Sequence, residues 1–392
     1  MYVTAKNTFQ FFWERTTAGL SLPGNFRSGV SLHSHTMFSE ESLEMVPGYI
    51  AKVPYLGRAI RRRQANYPTH GGEPFDFRRA FWTPPLSPRQ AYRLEEKQIQ
   101  RRLQLPALIS LTDHEDIRAA NLLRVMNRFR HAPVSTEWTI PFGSTFFHLG
   151  VHNIPPEQAR ELHWQLTEFT AHPAPPALLA SLSQLNSYPG ILIVLNHPLW
   201  DEQGIGAANH RSALSSFLQA HGGQIHALEL NGLRSWNENK AVIALGREAH
   251  LPVVSGGDRH GSEPNAILNL SYANSFAGFV DEVRRERTSH LVFMPQYREP
   301  LRLRVLQTIV DVVRDYPENM EGRRLWSDRV FYRDPDSASS IPLTALWRDG
   351  SPKFIRHAIR TMQLTRWRGV QSALRLALDD RSQIALDSGV PL

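Results

Sequence analysis

The sequence predicts an α/β fold built on a mostly parallel sheet, and two observations lead there. From residue 29 to about residue 300, short apolar runs alternate with helix-like stretches, the pattern of strands joined by crossover helices. Each apolar run is followed directly by polar or ionisable residues, as at the carboxyl ends of strands in α/β enzymes. The chain of 392 residues exceeds the usual single domain, yet one large catalytic unit with an appendage accounts for it.

Taken in order, strands are expected at residues 31–32, 107–111, 146–151, 191–195, 225–230 and 251–255. Residues 88–103 read as a helix, with Ser87 as N-cap, Pro88 at the first helical position and Ala91, Leu94 and Leu103 available for burial. Two further helices are expected at 158–169, after a Pro-Pro pair, and at 237–249, where Ala241, Val242, Ala244 and Leu245 recur at near-helical spacing. Residues 44–85 hold Arg61, Arg62 and Arg63, several prolines and Gly71-Gly72, and read as a long irregular insertion. The expected division is a catalytic unit over 1–300 and a mainly helical extension over 301–392 that packs on it. In that extension, 301–313 and 354–376 read as amphipathic helices on either side of a loop-rich 334–340. Arg356, Arg360, Arg366 and Arg368 lie near Ile355, Ile359, Met362 and Trp367, a spacing that marks a packed helix rather than a membrane anchor.

Composition narrows the function classes. Hydrophobic residues at 41% and charged residues at 21% exclude a disordered or fibrous chain. The N-terminus lacks a basic segment followed by an apolar one, and no apolar run approaches the roughly 20 residues of a bilayer span, so a cytoplasmic protein without membrane contact is expected. Cysteine is absent, which excludes disulfides and thiolate metal sites; any ion must be held by imidazole and carboxylate, and there are 17 histidines to explain. The net charge of +7, dominated by arginine, suits phosphate-bearing ligands, although ordinary surface charge explains it equally.

The ionisable residues fall at strand ends. His33 and His35 follow the first expected strand, Asp113 and His114 the second, His197 the run at 191–195, and Asp258 and His260 the run at 251–255. Residues remote in sequence would thus converge on one face, as a metal site requires. A His-X-His pair on extended backbone places both imidazoles on one side.

These residues lie in ordered motifs: Leu32-His33-Ser34-His35-Thr36-Met37-Phe38-Ser39-Glu40, Thr112-Asp113-His114-Glu115, Glu137, Phe147-His148-Leu149-Gly150, Asn196-His197-Pro198, Glu229-Leu230-Asn231 and Gly257-Asp258-Arg259-His260. Over roughly residues 29–300 the chain resembles the PHP family, the polymerase and histidinol phosphatase superfamily of metal-dependent phosphoesterases. The resemblance implies a distorted (β/α)7 TIM-like barrel holding two or three divalent ions of zinc, manganese or iron. It implies that His33, His35, Glu137 and Asp258 bind the first ion, that Glu137 bridges to a second held by His148 and His197, and that Glu40, His114 and His260 bind the third. Glu40 departs from the pattern, since the family usually has Asp there.

Such a cluster lowers the pKa of a bridging water and neutralises charge on phosphoryl oxygens, so a metal-bound hydroxide is the expected nucleophile and no protein nucleophile is needed. Asp113 and Arg259 are candidate helpers, and Arg118, Arg259 and Asn231 are candidate substrate contacts because a planar guanidinium can take two phosphate oxygens. His152 and Glu229 are candidates to support ligands from behind. The expected activity is hydrolysis of a phosphomonoester, or a phosphodiester, of a small metabolite or nucleotide. A nuclease acting on DNA or RNA ends is the alternative within enzymes, and a metal-binding structural module without catalysis is the alternative outside them.

Overall fold

The computed structural model describes residues 8–13, 25–44, 76–319, 323–334, 339–347 and 353–378. Arg61 to Arg63 and the rest of residues 45–75 in the expected insertion lie outside the described residues. In chain order the strands are β1 (Thr8–Trp13), β2 (Ser28–Ser31), β3 (Glu41–Ser42), β4 (Ala80–Trp82), β5 (Ala107–Ile109), β6 (Val134–Phe142), β7 (Thr145–Ile154), β8 (Leu192–Asn196), β9 (Ala227–Asn231), β10 (Val253–Gly256), β11 (Ile267–Ser271), β12 (Thr288–Phe293), β13 (Val330–Arg333) and β14 (Ser340–Pro342). The helices are α1 (Pro88–Arg102), α2 (Arg118–Arg124), α3 (Ala159–Ala171), α4 (Pro175–Asn186), α5 (Ala207–His221), α6 (Trp236–Glu248), α7 (Phe276–Arg284), α8 (Leu301–Val313), α9 (Leu343–Leu346), α10 (Lys353–Gln363) and α11 (Arg368–Ala377).

The strands form three sheets, ordered β1-β12-β11-β2-β5, β10-β9-β8-β7-β6 and β14-β13-β4-β3. The α/β class holds, but the sheets are mixed. β8, β9 and β10 run parallel, whereas β6 and β7 form an antiparallel hairpin and β11 runs antiparallel to both its neighbours. The hairpin turns at Gly143, whose φ of +61° suits the first position of a two-residue loop that must follow the strands' twist. Among the described residues no continuous ladder closes the expected barrel. The two larger sheets meet instead at single bridges, Ser34 with Arg259 and His114 with Glu137.

Those bridges lie where chemistry is expected, and packing behind them explains why. β8 (Leu192 to Asn196) is buried on both faces, as a strand covered on two sides must be. Val30, Leu32, Leu192, Val194, Ala227 and Val254 fill the space between the two sheets, with Phe276, Phe279 and Val280 of α7 closing it. At about 1.5–3 kcal/mol for each large apolar side chain, this layer fixes the strand ends that carry the histidines. Outside it, α1 begins at a Ser87 and Gln90 capping box and buries Ala91 and Ile99, while α3 covers the hairpin through Leu162 and Leu166 and α4 packs beside α3, adding Leu182 and Leu185 to the same core.

The third sheet joins distant parts of the chain. β3 and β4 flank residues 45–75, and β13 with β14 come from beyond residue 300. Residues 76–85 are therefore ordered structure, and the segment beyond residue 300 contributes a strand pair as well as helices. α8 spans the expected residues, while 354–376 divides into α10 and α11 around a 3-10 turn at Leu364–Arg366. No described helix is long and apolar enough to cross a membrane.

Candidate metal centre

β2 delivers His33 and His35, though not as a straight strand. His33 has a φ of +58°, and the bridge of Ser34 to Arg259 holds the backbone beyond it, so a kink brings the two rings together. Their Nε2 atoms lie 3.1 Å apart. Two more residues of the centre, His197 (φ +28°) and Asp258 (φ +49°), also occupy the left-handed region.

Glu137 on β6 is the hub. Its Oε2 lies 2.9 Å from His33 Nε2, 3.3 Å from His35 Nε2 and 3.5 Å from His114 Nε2. Its Oε1 lies 3.3 Å from His197 Nε2 and 3.6 Å from His148 Nδ1, and accepts a hydrogen bond from Asn196 Nδ2 at 2.8 Å. Asp258 Oδ1 sits 3.8 and 3.7 Å from the Nε2 atoms of His33 and His35 and 3.4 Å from His260 Nδ1. Eight of the nine expected ligands therefore converge, in overlapping groups of three or four donors within 4.8 Å of one another.

The ninth, Glu40, does not. It is half exposed and accepts from Arg333 Nη2 at 2.9 Å. Glu41 stands in its place, with Oε1 3.1 Å from His260 Nε2 and Oε2 3.5 Å from His114 Nε2. The reason is the period of extended backbone: adjacent side chains face opposite sides, and the pairing of Glu41 with Trp82 in β3 and β4 sets which one faces inward. Ser39 shares the inner side; its hydroxyl donates to Glu41 Oε1 at 2.7 Å and lies 3.0 Å from His35 Nδ1.

Four other candidate residues sit apart from the roles expected of them. Arg259 is buried and turned away, its Nε donating to Glu95 and its Nη1 to the Gly261 carbonyl, because it alternates with Asp258 and His260. Asp113 touches no ligand imidazole; its carboxylate accepts from the backbone and hydroxyl of Thr36 and so pins the loop after His35, while burial pushes it up to about 7. Asn231 is buried, and its amide is used by Glu229, Asp258 and the Leu233 N–H rather than left for substrate. Arg118 is exposed, paired with Asp116 and laid over Phe38, apart from the donor groups.

Glu229 supports the centre from behind. Its Oε1 lies 2.5 Å from His33 Nδ1, which turns the Nε2 lone pair toward the other donors, and its Oε2 accepts from the His197 N–H at 2.8 Å. Gly256 makes room for it: a Cβ there would meet the Glu229 carboxylate at 1.6 Å. His152 is buried, lies 2.8 Å from Ser110 Oγ and is outside the donor groups; burial takes it down to about 3.

The electrostatics suit a cation. Burial opposes ionisation of Glu41, Glu137 and Asp258, yet the surrounding imidazoles overcome it and hold all three below the usual carboxylate range. Burial and His260 lower His35 to about 3, while at His114 burial is outweighed by Glu41 and Glu137, which raise it to about 9. The donor set is nitrogen and oxygen only, six imidazoles with three carboxylates, and convergent, which fits divalent metal ions.

Sequence reasoning missed Glu41, although period-two alternation beside Ser39 was a signal for it. It also missed Asn196, in plain view within the Asn-His-Pro motif, and the aromatic wall, in which Trp82, Phe146 and Trp200 pack against His260, His148 and His197 with centroids 5.6, 5.0 and 5.1 Å apart. Glu202, whose Oε2 is buried 4.0 Å from His148 Nδ1, gave no sequence signal.

No protein-family model matches the chain, and no curated protein matches it. Among solved structures it is similar to PsfC from Pseudomonas syringae PB-5123 at 15% identity and a TM-score of 0.38, over 56% of this chain and 87% of that one. It is similar also to an inferred metal-dependent phosphoesterase from Bifidobacterium adolescentis at 12% identity and a TM-score of 0.33, over 63% and 91% of the two chains. A third likeness is to an amidohydrolase from Chromobacterium violaceum, at 13% identity and a TM-score of 0.34 over 59% and 87%. Likeness at this level carries no argument about chemistry; the donor geometry does.

Proposed function

We propose that this protein is a metal-dependent phosphoesterase of the PHP type that hydrolyses a phosphomonoester of a small metabolite or nucleotide. The observation that carries this reading is the Glu137 carboxylate, which faces five imidazoles with its two oxygens and so spans neighbouring donor groups. His33, His35, Glu137 and Asp258 would hold one ion, Glu137, His148 and His197 a second, and Glu41, His114 and His260 a third, with zinc, manganese or iron suited to these donors. When bound, the ions supply an activated water and positive charge for the phosphoryl oxygens.

The chain's own residues do the rest. Glu229 and Asn231 fix the orientation of His33 and Asp258, and Glu137 is braced by Asn196. Trp82, Phe146 and Trp200 wall the donors and limit access of bulk water.

Metal content and turnover test this together. Protein loaded with manganese, zinc or iron is screened on phosphomonoesters and short oligonucleotides beside Glu137→Gln. The expected result is turnover of a monoester by the wild type and loss of both activity and at least one metal equivalent in the variant. Unchanged metal content and turnover in Glu137→Gln would overturn the assignment, and turnover of oligonucleotides alone would favour the nuclease reading.

A further inference from the structure

Glu137 Oε1, His148 Nδ1 and His197 Nε2 form a triangle with edges of 3.6, 3.4 and 3.3 Å. Ligand bonds of about 2.0–2.2 Å separate the donors of a tetrahedral ion by roughly 3.4 Å, so the triangle matches one face of such an ion. A tetrahedral ion takes a fourth donor. Glu202 Oε2 lies 4.0 Å from His148 Nδ1, is shielded from solvent and accepts no hydrogen bond among the described residues. That separation is about half an ångström longer than a tetrahedral edge, a gap that a small rotation of a glutamate side chain closes. A carboxylate oxygen buried without a donor is costly, and a cation at the adjacent triangle removes the cost.

The loop that carries Glu202 is fixed by its own hydrogen bonds. The Trp200 N–H donates to the His197 carbonyl at 2.9 Å, and the Asp201 carboxylate accepts from the N–H groups of Ile205 and Gly206 at 3.0 and 2.7 Å. Gly204 and Gly206, with φ of +69° and +96°, let the chain turn into α5, whose His210 Nε2 donates back to the Pro198 carbonyl at 3.0 Å. One braced loop therefore delivers both His197 and Glu202 to the same ion.

We propose that Glu202 is a fourth protein ligand of the second ion, beside Glu137, His148 and His197. The proposal rests on the reading of the cluster as a metal centre and adds a donor that the ordered motifs leave out. A second carboxylate there offsets a double positive charge that the shared Glu137 neutralises only in part.

Zinc and cobalt are the probes. Stepwise zinc affinities are measured by chelator competition on full-length wild type, Glu202→Gln, Glu202→Asp, His148→Gln and the double variant of His148→Gln with Glu202→Gln. The thermal midpoint of each apoprotein is recorded beside them. Glu202→Gln is expected to weaken one ion by at least about tenfold, since even groups behind ligands matter by roughly 10–100-fold, without lowering the apoprotein midpoint. Glu202→Asp, which keeps the charge on a shorter arm, should fall between. The double variant should lose that one ion and no other, because both residues serve it. Cobalt-loaded Glu202→Gln should differ from wild type in visible absorption, which follows the ligand set.

Zinc affinities and a cobalt spectrum in Glu202→Gln indistinguishable from wild type overturn the proposal, and a fall in turnover alone would then assign Glu202 to the substrate. Loss of two separate ions in the double variant overturns it as well, as does a weakened ion that merely follows a lowered apoprotein midpoint. A wild type that binds neither zinc nor cobalt removes the metal-centre reading and the proposal with it. Normal wild-type binding with an unaffected Glu202→Gln removes the proposal alone.

Discussion

At the scale of single residues, the choice between neighbours decides which carboxylate enters the centre. Glu40 and Glu41 differ by one position, yet Glu40 meets Arg333 at the surface and Glu41 meets His114 and His260 inside. Glu41→Gln is expected to lower affinity for one ion by roughly 10–100-fold or more, with activity falling alongside, because it removes a charged donor where groups behind the ligands already matter that much. Glu40→Gln should leave metal content unchanged and cost at most about 1 kcal/mol, the usual ceiling for an exposed pair. Metal titration followed by elemental analysis checks both; equal loss in the two variants would overturn the assignment of Glu41 to a proposed third ion. Backbone strain belongs to this scale too, since His33, His197 and Asp258 hold left-handed conformations that only the surrounding packing can maintain.

At the scale of elements, the strand pair beyond residue 300 bears on the centre. β13 pairs with β4 and β4 with β3, so Val330 and Glu41 both register with Trp82. Arg329, just before β13, is buried and donates to the carbonyls of Val312, Arg314, Arg323 and Leu325, while the Thr83 N–H donates to its own carbonyl. Arg329→Met keeps much of the bulk but leaves these carbonyls without a donor, each at about 1–3 kcal/mol. The expected result is a loss of about 3 kcal/mol or more in stability, with weaker binding of the ion nearest Glu41 and retention of the ions around Glu137. Chemical denaturation and metal counting measure the two effects separately. Retention of all ions at wild-type affinity would show that β3 holds Glu41 without help from the C-terminal strands.

At the scale of the whole molecule, the centre lies at the seam between two sheets that share only isolated bridges, Ser34 with Arg259 and His114 with Glu137. Three carboxylates are buried there among histidines, and without cations their desolvation weakens that seam. Bound ions should therefore stabilise the fold by mass action, by about 4 kcal/mol for each ion present at a thousandfold excess over its Kd. Thermal unfolding with and without a chelator tests this: the midpoint should fall on chelation and recover when manganese or zinc is restored. An unchanged midpoint after verified metal removal would mean that the seam is held by packing alone. The core contributes to that seam through packing as well, since Val30, Leu32, Val194 and Val254 are buried together.

The sequence by itself determined the α/β class, α1 with its Ser87 cap, the span of α8 and eight residues of the centre. Each of these depends on a local signal, whether a capping box, a 3.6-residue period or an imidazole just past an apolar run. Even the convergence of His33 with His35, expected from alternation, is reached through a kink that alternation does not contain. Tertiary structure decided the remainder. β11 and β12 carry the buried polar residues Asn269, Ser289 and His290, which break up their apolar runs, and the absence of a closed ladder among the described residues follows from strand pairing that no local pattern encodes. Register chose Glu41 over Glu40, alternation within a bridged segment turned Arg259 inward, and tertiary packing laid the Arg234 guanidinium on the Trp200 ring beside Asp258. Side-chain direction and spatial neighbours belong to the assembled fold, because a one-residue shift in pairing exchanges inside for outside without changing a letter of the sequence.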